Sequence, residues 1–351
     1  MSRMTKEKTA GTEDQHELIS INSTVPLKVE NSEDLTDTSG GTTAPLRSAA
    51  DVKVPLKVQP PRSNGWGKEA GVRYLVALDV DGTLVDHDGH MSPEVRDAAR
   101  AVLAAGHHVV ISTGRSKGAT LPVVELIGQE HGFAVCSNGG MTLELDPGAP
   151  DYHRVLECVS FDPGQALEAL EHRLPTAKFA LETEDGSFYS TERFQDSSFG
   201  IEAIGVDLNQ LARMKAVRMV VYSTEHTPEE FALAIDEAGL HGVTYSVGWS
   251  AWLDIAANGV SKASALEQVR RRLGVDPSHT VAVGDGRNDI EMLDWAARGV
   301  AMGQAPDEVA AVCHEVTSTV YEDGVAGVLR SLLLGGGLRA HSPRAAAATP
   351  R

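Results

Sequence analysis

Asp79 and Asp81 stand two residues apart at the end of an apolar run, in YLVALDVDGTLVDHDG (74–89). Like charges at that spacing raise each other's pKa unless a cation or strong hydrogen bonds compensate. A third carboxylate, Asp285, lies in GDGRNDIEML (284–293), with Asn288 and Asp289 close behind. Carboxylate oxygens favour a hard cation, and Mg2+ is the usual partner of a few carboxylates plus a substrate phosphate. Groups suited to an anion accompany the acids. Gly82 and Thr83 make a turn whose N–H groups can face an anion, Thr113 offers a hydroxyl, and Lys262 a point charge. A carboxylate nucleophile, a metal, a lysine and a hydroxyl together suit phosphoryl transfer through an aspartyl-phosphate.

The elements that position these groups alternate along the chain. RYLVALD (73–79) is apolar and short enough for a buried strand. SPEVRDAARAVLAAG follows, with Ser92 as cap, Pro93 in the first turn, an apolar face through Val95, Ala98, Ala99, Val102 and Leu103, and Gly106 as terminator. HHVVIST (107–113), a helix near 116–130 and FAVCSN (133–138) continue a β-α-β-α-β order. That order predicts a doubly wound parallel α/β sheet with helices on both faces. Residues 143–255 mix short strand signals with two helical stretches and read as an inserted α+β domain. The doubly wound pattern resumes at 256 and runs to 334. The expected division is therefore a core of 71–142 and 256–334, an inserted domain of 143–255, and tails at 1–70 and 335–351.

In such a sheet, ligands bind outside the carboxyl ends of the strands. Asp79 and Asp81, then Ser112, Thr113, Gly114 and Arg115, then Asn138, then Asp285, Asn288 and Asp289 all fall at such ends, and Lys262 opens a helix near the same face. This convergence sets aside a mere turn-capping role for the two leading aspartates and a solvated role for Lys262.

The whole chain has 351 residues and a formal charge of −18. A surface this acidic repels phosphate backbones, so no nucleic-acid partner is expected, and an anionic substrate needs local positive charge or a metal. Cys136, Cys158 and Cys313 are few and widely spaced, which points to neither a zinc site nor a disulfide framework and fits a reducing cytoplasm. No apolar leader and no run of about 18 apolar residues is present, so no membrane association is expected. The 1–70 tail is rich in Ser, Thr, Glu, Lys, Gly and Pro, reads as disordered, and carries VPLKV twice, at 25–29 and 54–58, as a docking motif or a local duplication.

DVDGTL (79–84), STGR (112–115), GVSKASAL (259–266) and GDGRNDIEML (284–293) resemble the four motifs of the haloacid dehalogenase superfamily. With GVAMGQA (299–305) and EDGVAGVL (322–329), the chain is similar to the Cof-type phosphatases, whose type-IIB cap is inserted between the second and third motifs. The resemblance covers about 73–334 and implies a Mg2+-dependent phosphatase acting on a small phosphate ester. It implies Asp79 as nucleophile, and Asp81 as general acid and then base. Thr113 and Lys262 would hold the phosphoryl group, with Gly114 beside them. It implies a metal set of Asp79, Asp81 through its backbone carbonyl, Asp285 and Asp289, with Asp289 alternatively orienting Lys262, and it places Asn288 next to the phosphate. Arg115 is left between reaching substrate and pairing with an acidic neighbour, and Asn138 between binding substrate and fixing its loop. Trp249 and Trp252 either stack on a substrate ring or pack the hinge. His107 and His108 read as structural or solvated, Cys136 as a buried inert thiol, and Met292 and Met302 as core. The rival readings are a sugar phosphomutase and a non-catalytic scaffold docked through the tail.

Overall fold

The structure is a computed structural model that describes residues 72–191, 202–248 and 251–333. Both tails, the VPLKV pair and Trp249 lie outside the described residues.

The first half of the core comprises β1 (Leu75–Leu78), α1 (Pro93–Ala104), β2 (His108–Ser112), α2 (Lys117–Leu126), β3 (Gly132–Cys136), β4 (Met141–Leu145) and β5 (His153–Cys158). The insertion supplies α3 (Gly164–Arg173), β6 (Lys178–Glu182), β7 (Phe188–Ser190), β8 (Ile204–Gly205), α4 (Leu208–Leu211), β9 (Arg218–Tyr222), α5 (Pro228–Ala238), β10 (Val243–Val247) and β11 (Trp252–Ala257). The chain returns through α6 (Lys262–Leu273), β12 (Thr280–Gly284), α7 (Ile290–Trp295), β13 (Arg298–Ala301), α8 (Asp307–Ala310), β14 (Glu315–Val316) and α9 (Gly324–Leu333).

The core sheet runs β14-β13-β12-β1-β2-β3-β4-β5. β1 lies at its centre, parallel to β12 and β2, and all four of its residues are buried. Val76 and Leu78 pack in one apolar layer with Val95, Val102 and Leu329, which α1 and α9 carry. Leu75 and Ala77 pack in the opposite layer with Leu266, Val269, Met292 and Leu293 of α6 and α7. Period-two alternation with both faces covered is why β1 reads as a continuous apolar run. The caps at Ser92 and Ser261 form as the local sequence requires: each side chain accepts a backbone N–H, from Val95 and Ser264 respectively.

The sheets divide differently from the expected boundary at 143. β4 and β5 are antiparallel additions to the edge of the core sheet, pairing β3 with β4 and β4 with β5. The second sheet, β10-β11-β9-β6-β7-β8, starts only at Lys178. The turn through Ser137, Asn138 and Gly139, at φ 52°, 52° and 99°, folds β4 back onto β3. In the inserted sheet, Phe179, Leu181, Met219 and Leu253 face α3 and α5 through Leu167, Leu170, Phe231 and Ile235. Its other face carries Ala180, Phe188 and Val220, with Tyr222 and Trp252 packed against them.

Leu143 is fully buried in the same cluster as Leu78. Leu143→Ala is expected to cost about 3 kcal/mol of unfolding free energy in urea titration, the scale for a cavity in a close-packed core. A loss well under 1 kcal/mol would mean that β4 is not part of that core.

Candidate active site

Parallel strands deliver their last residues to one edge, and the predicted groups meet there. Asp79 follows β1 directly, Thr113 follows β2, and Asp285 follows β12. Lys262, the first residue of α6, is 1% exposed. Its Nζ lies 2.7 Å from Asp79 Oδ1 and 2.7 Å from Asp289 Oδ1. The other Asp289 oxygen accepts the N–H groups of Asp285 (3.1 Å) and Gly286 (2.9 Å). Asp289 thus touches Lys262 through one oxygen and the Asp285–Gly286 backbone through the other. Close backbone approach makes this possible. A Cβ on Gly139 would lie 2.2 Å from the Ser261 carbonyl oxygen, and one on Gly284 would lie 2.6 Å from the Asp289 carboxylate.

Asp79, Asp285 and Asp289 each bring one carboxylate oxygen within 4.8 Å of the others. Burial, the charge of Asp289 and the weaker repulsion of Asp285 and Asp81 push Asp79 well above the usual carboxylate range, against the pull of Lys262. Burial and Asp289 likewise push Asp285 up to about 7. Burial pulls the Lys262 ammonium down, but Asp289 and Asp79 together overcome it and hold the group above its ordinary value. Three acids against one ammonium leave excess negative charge in a dry site. That donor set fits a hard divalent cation.

The carboxylate of Asp81 stands apart from this trio. Arg115 grips it with two hydrogen bonds, Nε to Oδ2 at 3.0 Å and Nη2 to Oδ1 at 2.6 Å. The Arg115 side chain is buried while that of Asp81 is 60% exposed. Arg115 thus pairs with an acidic neighbour, and the side chain of Asp81 does not join the expected metal set. Only its backbone carbonyl, the atom the resemblance implied, is left for that role.

A second expectation is corrected at Gly82 and Thr83. Their N–H groups do not face an anion: Gly82 donates to Val85 O at 2.9 Å and Thr83 to Val80 O at 3.2 Å, closing the turn on itself. Gly82 serves by lacking a side chain, since a Cβ there would lie 2.1 Å from Asp285 Oδ2, at a φ of +75°. Gln304 was missed in the sequence, although it sits in GVAMGQA. It donates to Gly82 O (2.6 Å) and Asp285 Oδ2 (3.1 Å) and accepts the Val320 N–H (3.0 Å), clamping Asp285 against the turn.

Thr113 is buried, and its Oγ1 accepts the Arg115 N–H at 3.1 Å. Asn138 Oδ1 accepts from Asn288 Nδ2 at 3.0 Å, and a Cβ on Gly114 would lie 3.1 Å from that same Oδ1. Gly114, Asn138 and Asn288 therefore form one cluster. His107 sits away from it, where β2 begins, its Nδ1 accepting the Tyr74 N–H. Burial pushes the Cys136 thiol up to about 12, as suits an inert side chain. Trp252 donates to Asp254 Oδ2 at 2.8 Å and packs on Tyr222, inside the second sheet.

Residues 76–329 match the family model of haloacid dehalogenase-like hydrolases. The chain belongs to this family. It is a Cof-type phosphatase, a phosphoric monoester hydrolase. The chain is 30% identical over 268 residues to the Bacillus subtilis 5-amino-6-(5-phospho-D-ribitylamino)uracil phosphatase YitU, a match spanning 73% of this chain and 96% of that protein. It is 27% identical over 296 residues to phosphatase YwpJ of the same organism, across 74% and 99% of the two chains. The fold is also that of the subclass IIB sugar phosphatase BT4131, with a TM-score of 0.62, 23% identity, and 74% and 99% coverage. Among the described residues, no helix of this phosphatase is long and apolar enough to cross a membrane.

Two outcomes follow for this Cof-type site. Between about pH 4 and pH 7 the folded chain holds a proton on Asp285 that an unfolded carboxyl, near its ordinary value of about 3.9, has lost, so metal-free stability falls as pH rises through that range. Mg2+ should therefore raise the melting temperature by several degrees at pH 8 and far less at pH 5, read by calorimetry. An equal rise at both would contradict this account of the acids. Gly82→Ala should abolish the Mg2+-dependent rise at pH 8 while the protein stays folded by circular dichroism; a retained rise would contradict the close approach to Asp285.

Proposed function

We propose that the chain is a Mg2+-dependent phosphatase that hydrolyses small organic phosphate monoesters through an aspartyl-phosphate on Asp79. The observation that carries the reading is Lys262 Nζ held 2.7 Å from the Asp79 carboxylate in a buried site. A lysine so placed meets both the nucleophile and the phosphoryl oxygens that arrive beside it, and its charge is worth most where water is excluded.

Asp79 and Asp285 would hold the Mg2+. When bound, the ion supplies positive charge that offsets the acids and the phosphoryl oxygens. Asp79 attacks phosphorus, and the bond from phosphorus to the leaving oxygen breaks with its electron pair passing to that oxygen. Asp81 gives the leaving oxygen a proton. In the second half, Asp81 takes a proton from water, the water oxygen attacks phosphorus, and the bond to Asp79 breaks. Both Asp81 oxygens are engaged by Arg115, so this pair must part before the proton moves. Thr113 and Lys262 hold the phosphoryl group, with Gly114, Asn138 and Asn288 alongside.

The inserted sheet acts as the cap. On its helix-free face, Glu182, Arg218, Asp254 and Trp252 alternate with residues that face the cap helices. This face meets the core where Ser137 donates to Glu182. It would exclude water and contact the organic part of the substrate. Sugar phosphates, nucleotides such as flavin mononucleotide, and phosphorylated vitamin precursors are the proposed class. The sugar and ribitylaminouracil phosphates named for the similar proteins lie within it. A cytoplasmic setting belongs to the same proposal, since all three cysteines are free thiols.

The test is phosphate release from an aryl phosphate and then a panel of metabolite phosphates, with Mg2+, with a chelator and with Asp79→Asn. Release should require Mg2+ and fall at least about 1,000-fold in Asp79→Asn, as expected when a nucleophile is removed. Release that persists under chelation, or in Asp79→Asn, would overturn the reading.

A further inference from the structure

The Ser137–Gly140 turn touches almost every part of the site. Ser137 N–H donates to Arg115 O at 2.8 Å, and Asn138 N–H to Thr113 O at 3.0 Å. The Asn138 side chain accepts from Asn288. Gly139 lies against the Ser261 carbonyl that precedes Lys262, and Gly140 against Val217 of the cap. Ser137 and Asn138 are consecutive non-glycine residues in the left-handed region, both at φ 52°. Such a pair persists only where its surroundings fix it, and Ser gains less from this conformation than Asn or Gly.

The backbone of Ser137 is held within the core, and its side chain is held from the other sheet. Its hydroxyl donates to Glu182 Oε2 at 2.5 Å, and Glu182 is fully buried at the last position of β6. A carboxylate buried between two sheets costs more than a neutral residue of the same size. The strained turn and the buried carboxylate meet at this hydrogen bond, with Arg218 and Lys117 also favouring the ionised Glu182, and the bond exists only while the cap sheet is seated on the core.

We infer that Glu182 is a positioning residue for the phosphatase reaction. Through Ser137 it ties the seated cap to Asn138 and Asn288 beside the phosphoryl-transfer groups. Glu182 touches no reacting atom; it sets the turn that does the placing, so the site is complete only with the cap in place. The inference rests on the proposed assignment of the Asp79 site.

The test compares the full chain with Glu182→Ala, Ser137→Gly and the double variant. Ser137→Gly removes the hydroxyl yet relieves the left-handed backbone, which favours folding. Steady-state aryl phosphate hydrolysis and amide hydrogen exchange of residues 136–140 are measured on each. Each single change should lower kcat about tenfold, the scale for a hydrogen bond to a charged group, with KM changed less than about twofold. The double variant should be no worse than the weaker single one, because both changes remove the same link. Glu182→Gln, which keeps an acceptor for Ser137, should restore most of the rate, and exchange at 136–140 should rise in Glu182→Ala. Multiplicative losses, a loss carried by KM, or an unchanged kcat in either single variant would overturn the inference. If the unaltered protein released no phosphate, the reading of the Asp79 site would fail. Exchange would still decide the positioning role, and unchanged protection of 136–140 in Glu182→Ala would overturn it.

Discussion

A single buried ammonium between two carboxylates organises this molecule. Lys262 is anchored to Asp79 at the end of β1 and to Asp289 beyond β12, so it links the halves of the core that the cap separates by more than a hundred residues. A charge taken out of water is tolerated only when its partners are in place, and removing one partner leaves the others uncompensated. The surroundings are arranged to that end. Ser261 caps the helix that starts at Lys262, Gly139 lets that helix start close to the core turn, and Gly284 leaves room for Asp289.

The balance of charge is deliberately incomplete. Three acids, two of them buried and one half-buried, face one lysine, and burial and mutual repulsion hold Asp79 and Asp285 above their ordinary range. Such a site is unfavourable for stability by itself and favourable for binding, since a cation relieves the repulsion it enters. Gln304 and Gly82 keep Asp285 pressed into this arrangement when relaxation would move it away. Arg115 meanwhile keeps Asp81 out of the acid cluster, so carboxylates two residues apart in sequence have separate environments and can take separate roles.

Much of this was legible in the sequence because parallel strands must bring their ends to one edge. Runs such as YLVALD and TVAVGD give strand polarity, and polarity alone gathers Asp79, Thr113, Asp285 and Lys262. What the pattern could not supply is direction at the scale of single bonds. The N–H groups of Gly82 and Thr83 turn inward to Val85 and Val80, which depends on the turn type and not on its glycine. The partner of Arg115, the clamp at Gln304 and the link from Ser137 to Glu182 join residues 34, 19 and 45 positions apart, and no local periodicity encodes such pairs. The place of the β4–β5 hairpin in the core sheet is hidden for a related reason. Its alternation fits either sheet edge, and although Asn138, Gly139 and Gly140 mark a turn, a turn signal alone does not say which sheet the next strand joins.

The central claim is that the Asp79 carboxylate, held by Lys262, forms a covalent bond to phosphorus. The most direct measurement is acid quenching of Asp81→Asn during turnover of an aryl phosphate, followed by mass spectrometry of the tryptic peptide from Tyr74 to Arg96. An aryl leaving group needs little help from an acid, whereas the second step lacks its base, so the intermediate should accumulate. The account predicts one phosphoryl group on that peptide, fragmenting to Asp79 and absent when Asp79 is also replaced. Turnover with no adduct on that peptide, or an adduct on another residue, would contradict it.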